Sequence, residues 1–362
     1  MVSVRGSSHS GDFSAKHAKA ASRFWSIMNR EVRVLFIRTA NLSFIEKDLG
    51  LLRKEFIVKV VHYSGKRKSM DVVKGVVWAD ISFSWFAGSH AALAVLLSRV
   101  LRKRAIVVTG GYDVANEPSI SYGIMRFPKS RDARIVKFAL DHADLVLPFS
   151  DYAAEEVLGI NQNTNLKALP LACDTEKFVP GEQKENLVLT VCMVVESNIA
   201  RKGLKAFVES ARHLPKAKFV LVGPHIDDAI NYLKAIAPPN VEFTGYVPED
   251  VLIRWYQRAK VYCQLSYQEG EGAGGALGEA MACECVPVVS EKAVALRETV
   301  GDCGFYVPYG DIDATVEAIK KALCSTSEGG REARGRMIGL FSMGKREKEL
   351  SRVINEVLEC HK

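Results

Sequence analysis

The chain has 362 residues, of which 48% are apolar and 25% charged, and a formal net charge of +7. That length accommodates two domains, and that balance excludes a fibrous or largely disordered protein. The longest apolar stretch, Ala91 to Leu97, is far short of the roughly 18 to 20 residues that cross a bilayer, so no spanning helix is expected.

Residues 1–30, "MVSVRGSSHSGDFSAKHAKAASRFWSIMNR", hold five basic side chains and one acidic one, are rich in Ser and Ala, and show no capped periodic pattern. They read as an N-terminal extension: a disordered tail, a transit peptide or an upstream misassigned start. Met28, just before the first clear strand, favours a dispensable extension. Short β-branched runs then alternate with amphipathic stretches. "VRVLFI" from Val32, "FIVKVV" from Phe56, "ADISFSWF" from Ala79, "AIVVTGG" from Ala105, "ADLVLPFS" from Ala143 and "LKALPL" from Leu166 are expected strands. Helical segments such as "FIEKDLGLLRKE" and "HAALAVLLSRVLRK" lie between them. Strand, helix, strand in repetition implies a parallel sheet with helices on both faces, here over residues 31–180.

The pattern breaks at Asp174 to Asn186, "DTEKFVPGEQKEN", and starts again. "LVLTVCMVV", "KFVLVGP", "NVEFTG", "KVYCQLSY", "CVPVVS" and "GFYVPYG" form a second strand series over residues 181–340. Residues 341–362 end in an amphipathic helix expected to reach back onto the first domain. Two successive α/β domains place the ligand beyond the carboxyl ends of the strands, in the cleft between the domains. Charge divides unevenly between them: residues 1–180 carry 26 Lys and Arg against 17 Asp and Glu, and residues 181–362 carry 23 against 25. The basic half suits an acidic partner. The eight cysteines lack paired CxxC spacing and sit in or beside apolar segments, as buried free thiols of a reducing cytoplasm do.

The most informative stretch is Glu271 to Val289, "EGAGGALGEAMACECVPVV". A strand ends, a Gly-rich turn follows, and "ALGEAMAC" has the composition of a helix. Such a turn directs unobstructed backbone N–H groups and a helix N-terminus at one point, which suits a phosphate. Gly272, Gly274, Gly275 and Ala276 supply that backbone. Glu279, about one turn into the helix, is placed to accept from a vicinal diol such as a ribose, and Glu271 stands at the mouth of the turn. A lone Gly-rich loop is a weak signal, since a tight turn with solvated carboxylates reads the same way. Two companions strengthen it. Arg201 and Lys202 precede a helix just after the first strand of the second domain, where their cations suit a diphosphate leaving group. Gly245 and Tyr246 lie at a strand end, where a flat base can rest against backbone and ring.

The order "RKG", "FVLVGP", "VEFTGYVPEDVL", "EGAGGALGEAMACECVPVV", "GDCGFYVPYGD" resembles the nucleotide-binding domain of the retaining glycosyltransferases of the GT-B fold, the large group called glycosyltransferase family 4. The likeness covers residues 31 to about 325 and is strongest from 187 onward. It implies an α/β GT-B architecture of two Rossmann-like parallel-sheet domains. It also implies that Glu271, the catalytic carboxylate, contacts the transferred sugar, that Glu279 holds the ribose, and that Lys202 binds the diphosphate. The donor would be a UDP-, GDP- or ADP-sugar, with no cofactor, metal or nucleic acid. The acceptor would be a glycan or a lipid-linked molecule, and the enzyme cytoplasmic, with peripheral contact to the inner face of the membrane through its basic first domain.

Three departures stand out. Glu196 occupies the position, six residues before the diphosphate Lys, where the family usually has Arg. The Gly-Gly turn after the first strand is absent, and "GGYDVA" replaces a His-bearing loop, leaving Asp113 and Tyr112 as acceptor-side candidates beside His90. The doubled "EGEG" lets Glu269 compete with Glu271. An apparent DxD at Asp311 to Asp313 reads as a helix cap rather than a metal site. Two other readings remain: a sugar-nucleotide epimerase of similar shape, and a non-catalytic sugar-nucleotide-binding protein. A nicotinamide dehydrogenase is disfavoured, because no GxGxxG follows the first strand.

Overall fold

The β-branched and aromatic runs become buried parallel strands because helices cover both of their faces. In the computed structural model, which describes residues 31–267, 274–325 and 327–360, the first sheet is built from β1 (Arg33–Arg38), α1 (Ser43–Glu55), β2 (Ile57–His62), α2 (Ser69–Trp78), β3 (Ile81–Trp85), α3 (Ser89–Val100), β4 (Arg104–Thr109), α4 (Arg131–His142), β5 (Leu145–Pro148) and α5 (Asp151–Ile160). Its strands lie in the order β2-β1-β3-β4-β5, all neighbours parallel. Alternation along β1 sends Val34 and Phe36 to the core under α1, and Leu35 and Ile37 to the core under α2. Ser130 and Ser150 cap α4 and α5 by accepting from the backbone N–H three residues on.

The second sheet comprises β6 (Glu185–Val191), α6 (Glu196–Arg201), α7 (Leu204–Ser210), β7 (Lys218–Val222), α8 (Ala229–Ile236), β8 (Val241–Gly245), α9 (Glu249–Arg258), β9 (Ala259–Gln264), α10 (Ala276–Ala282), β10 (Val286–Ser290), α11 (Val294–Val300), β11 (Phe305–Val307) and α12 (Ile312–Cys324). Its order is β11-β10-β9-β6-β7-β8, again parallel throughout. The chain closes with α13 (Ser327–Phe341) and α14 (Met343–Glu359). Asp311 caps α12, accepting from Ala314 N at 2.9 Å. All eight thiols are free, with Cys173, Cys263, Cys283 and Cys285 buried.

One expected strand differs. "LKALPL" pairs with β5 only through an isolated bridge, Val146 to Leu166. Beyond it Leu169 N still bonds Pro148 O at 2.8 Å, but Pro170 brings no N–H and the chain turns away toward the second sheet.

The chain passes between the sheets twice, and the two passages lie side by side where Cys173 N donates to Phe341 O at 2.9 Å. After the second passage α14 packs on α1, burying Leu350, Val353, Ile354 and Val357 against Ile45, Leu49 and Leu52. Arg346 locks this return. Its Nε and Nη2 donate to the Asp48 carboxylate at 2.5 and 2.7 Å, and its Nη1 donates to Leu169 O and Pro170 O at 2.8 and 2.7 Å. Asp48 and Arg346 are both buried, so this bidentate pair with its extra carbonyls is a satisfied one.

Candidate active site

In the second sheet strand order reverses between β6 and β9: β7 and β8 extend one way, and β9 returns on the other side of β6. The loops after β6 and β9 therefore diverge and leave a crevice at the carboxyl edge, where ligands of open α/β sheets bind. Both cation- and glycine-bearing motifs lie there. Gly203, between α6 and α7, has φ +65°, and a Cβ on it would come 2.2 Å from Leu265 O. Only glycine lets this loop lie against the end of β9. Arg201 O accepts from Tyr267 N at 2.8 Å, which ties the cationic loop to the start of the Gly-rich turn.

Buried Asn198 accepts from Arg201 Nη2 at 2.8 Å and from Nε at 3.2 Å, and so aims the guanidinium. Lys202 follows as the C-terminal cap of α6, its N–H bonding Asn198 O at 2.9 Å. Glu196 opens α6 and is exposed, with its N–H donating to Asp227 at 2.9 Å. Gln268 to Ala273, and with them Glu269, Glu271 and Gly272, lie outside the described residues. Past them, a Cβ on Gly274 would meet Leu171 Cβ at 2.2 Å, so the Gly274 backbone lies hard against the interdomain passage. Gly275 precedes α10 and Ala276 opens it.

Glu279 points inward, its side chain 13% exposed. Tyr256 OH donates to Oε2 at 3.1 Å, and Lys47 Nζ, from α1 of the other domain, lies 3.8 Å from Oε1. Burial pushes this carboxyl above the usual range, and Lys47 and the Tyr256 hydrogen bond pull it back. At the far end of the edge, Gly245 takes φ +71°, its carbonyl accepts from Gly223 N at 3.0 Å, and the adjacent Tyr246 is 75% exposed.

The facing edge of the first sheet holds a cavity of about 470 Å³. Its order also reverses, between β1 and β3, and the segments after β1, β2, β3, β4 and β5 form the walls. Phe44, Tyr63, Phe86, Tyr112, Tyr122 and Phe149 make that wall mainly aromatic. Asp113 and His90 line it too, yet both serve the local backbone. The Asp113 carboxylate accepts from Ala87 N at 2.9 Å, Gly111 N at 3.0 Å and Gly110 N at 3.4 Å. Burial raises its pKa while those amides lower it. His90 Nε2 bonds the Trp85 carbonyl at 2.8 Å, so that nitrogen carries the proton, and burial depresses the ring's pKa. Tyr112 is half exposed and meets Tyr122 edge-on, with centroids 5.3 Å apart.

Residues 185–325 match the family described as Glycosyl transferases group 1. O-antigen chain mannosyltransferase B of Escherichia coli is 26% identical over 205 residues, 51% of this chain and 53% of that protein. The chain thus spans about half the length of the curated relative it matches. Among solved structures, Anabaena HepE in complex with UDP superimposes with a TM-score of 0.73 at 14% identity, covering 90% of this chain and 100% of that one. A glycosyltransferase from Rickettsia africae ESF-5 gives a TM-score of 0.69 at 15% identity, over 91% and 99%. The fold is GT-B.

In the GT-B frame, contacts across the cleft are as informative as the motifs. Arg201 of the second domain stands 5.2 Å from the Tyr122 ring centroid of the first. Ser119 Oγ donates to Tyr267 OH at 2.7 Å, and Glu298 on α11 accepts from Asp151 N and Tyr152 N at 3.0 and 3.3 Å. Sequence reasoning missed Lys47 and Tyr256. Each sits in a helix with an ordinary amphipathic pattern, and only the approach of the two domains reveals that both converge on Glu279. No described helix is long and apolar enough to cross a membrane.

Proposed function

We propose that the chain is a retaining glycosyltransferase that moves a hexose from a UDP-, GDP- or ADP-sugar to a glycan or lipid-linked acceptor without a metal. One observation carries the reading: the cationic loop of Arg201 and Lys202, the backbone of Gly274 and Gly275 and the part-buried Glu279 all lie at the strand-order reversal of the second sheet. The matched family spans that region. HepE binds UDP and, in a second structure, UDP-glucose, and the E. coli relative is named for mannosyl transfer to O-antigen.

In this reaction the donor's anomeric C–O bond to the diphosphate breaks as the acceptor oxygen forms its bond on the same face. The acceptor's proton passes to the departing diphosphate oxygen, so no residue needs to form a covalent intermediate. Lys202 and Arg201 offset the charge that develops on the diphosphate. Glu279 holds the ribose, Gly245 and Tyr246 lie beside the base, and Glu271 positions the sugar. The aromatic cavity on the first domain, with Tyr112, Asp113 and His90 at its wall, takes the acceptor. Its lipid-linked form is supported by the outer face of α2 and α3, where exposed Met70, Val77, Leu96 and Val100 stand among Lys74 and Arg99.

Titration calorimetry with UDP, GDP, ADP and their sugars, followed by product analysis, tests the proposal. Lys202→Ala should weaken nucleoside diphosphate binding and lower turnover by roughly 10²-fold. Glu271→Gln should abolish transfer while nucleotide affinity stays near wild type. A product made without an acceptor would point to an epimerase instead, and a protein that ignores every nucleotide sugar would end the proposal.

A further inference from the structure

Lys47 is a cation whose chemistry the nucleotide reading does not yet account for. It projects from α1 of the first domain into the second, and its Nζ is buried with no hydrogen-bond partner among the described residues. Its nearest counter-charge, Glu279 Oε1, is 3.8 Å away, which makes an ion contact but not a hydrogen bond. A buried ammonium with three unused N–H donors is costly unless something accepts from it. Glu279 has the complementary deficit. Its Oε2 takes the Tyr256 hydroxyl at 3.1 Å, while Oε1 is left facing Lys47.

A single group satisfies both atoms. A hydroxyl oxygen accepts from an ammonium and donates its own proton to a carboxylate, and at an ordinary roughly 2.8 Å from each it spans a gap of this size. A phosphate oxygen cannot, because it has no proton to give and would be repelled by the carboxylate. Water could sit there in the free protein, but a ligand hydroxyl displacing it would keep both bonds.

We propose that Lys47 is a specificity-determining residue for the donor: one ribose hydroxyl of the bound nucleotide lies between Lys47 Nζ and Glu279 Oε1, accepting from the first and donating to the second. This rests on the nucleotide-sugar reading above and extends it, because the ribose is then gripped by both domains. Arg38, Glu46 and Asp48 are the other charged groups near this end of α1, and Lys177 and Glu249, which also act on Glu279, pair with each other. Arg38 and Glu46 are engaged with each other and Asp48 with Arg346.

The test uses the full chain, titrated first with UDP, GDP and ADP. The nucleotide that binds is then compared with its 2′-deoxy and 3′-deoxy forms, on wild type and on Lys47→Met, which keeps the unbranched stem. Wild type should lose about tenfold or more in affinity for one deoxy form. Lys47→Met should bind the ribonucleotide about tenfold more weakly, and its preference for ribose over that deoxy form should shrink. Lys47→Gln, a second variant that retains a donor, should fall between the two. Equal binding of ribose and both deoxy forms by wild type overturns the proposal. So does a Lys47→Met protein that keeps its full preference, or one that loses affinity for ribose and deoxy forms alike. Should wild type bind no nucleoside diphosphate, the donor reading fails first and this inference with it.

Discussion

The two domains share one fold, and their carboxyl edges are built to opposite plans. On the first, the carboxylate and the imidazole that line the cavity are taken up by the protein itself: Asp113 by three backbone amides and His90 by a carbonyl. What remains for a ligand is a mainly aromatic wall. On the second, glycine conformation and a cationic loop converge, and the partner of Glu279 Oε1 among the described residues is the Lys47 ammonium, 3.8 Å away. The same contrast separates the buried carboxylates of the chain. Those with every oxygen satisfied internally, Asp48 and Asp113, hold the architecture together. Glu279, part-buried with one oxygen facing a cation beyond hydrogen-bond distance, is where binding chemistry belongs.

The comparison can be broken most forcefully at Asp48. Replacing it with Leu strands the Arg346 guanidinium in a buried site, and such a loss costs about 3–5 kcal/mol. Chemical denaturation of Asp48→Leu should show a loss in that range. Adding Arg346→Met should recover most of it, since an apolar pair of similar volume is tolerated where a lone charge is not. Failure of the double variant to recover would mean that the carbonyl contacts to Leu169 and Pro170, rather than the ion pair, hold α14 in place.

A smaller effect is expected at Asp113. Asn supplies one acceptor oxygen where the carboxylate supplies two, and it turns an NH2 toward a backbone N–H. An unsatisfied buried donor costs about 1–3 kcal/mol. Asp113→Asn should therefore unfold at lower denaturant by that margin, and acceptor turnover should fall with it because Ala87 and Gly111 shape the cavity wall. If stability is unchanged while acceptor turnover alone collapses, Asp113 contacts the acceptor directly and the contrast between the two edges weakens.

Much of this was legible in the sequence, for identifiable reasons. Parallel strands are buried on both faces, so runs such as "VRVLFI" and "KFVLVG" stand out as continuous apolar segments, and two series separated by a charged linker imply two sheets. Glycines with positive φ, such as Gly203 and Gly245, announce themselves because few other residues adopt that backbone. What stayed hidden depends on distance along the chain. Lys47 and Glu279 are far apart in sequence, as are Asp48 and Arg346, and nothing local in either helix marks the partner. The commitment of His90 and Asp113 to backbone groups was equally invisible, because a hydrogen bond to a carbonyl or an amide leaves no residue pattern. "LKALPL" misled because its apolar composition fits a strand, while Pro170 withholds the N–H that a ladder needs.

The finest test concerns the pH dependence of stability at Glu279. Burial raises its pKa in the folded protein, so at low pH both folded and unfolded chains carry the proton and no penalty arises. As pH climbs past the ordinary carboxyl range, the unfolded chain releases its proton while the folded one still holds it. Stability therefore declines until the raised pKa is passed. Asp113 contributes with the same sign, also through burial. In ligand-free protein, Glu279→Gln should thus flatten the decline in melting temperature from about pH 4.5 toward neutrality. Lys47→Met, by removing the cation that lowers this pKa, should steepen it and extend it to higher pH. The effect is small, because Lys47 and Tyr256 already offset part of the burial. Its direction is nonetheless diagnostic: identical profiles for wild type, Glu279→Gln and Lys47→Met would mean that the Glu279 site is hydrated like any surface carboxylate, and the distinction between the two edges would then rest on the cationic loop alone.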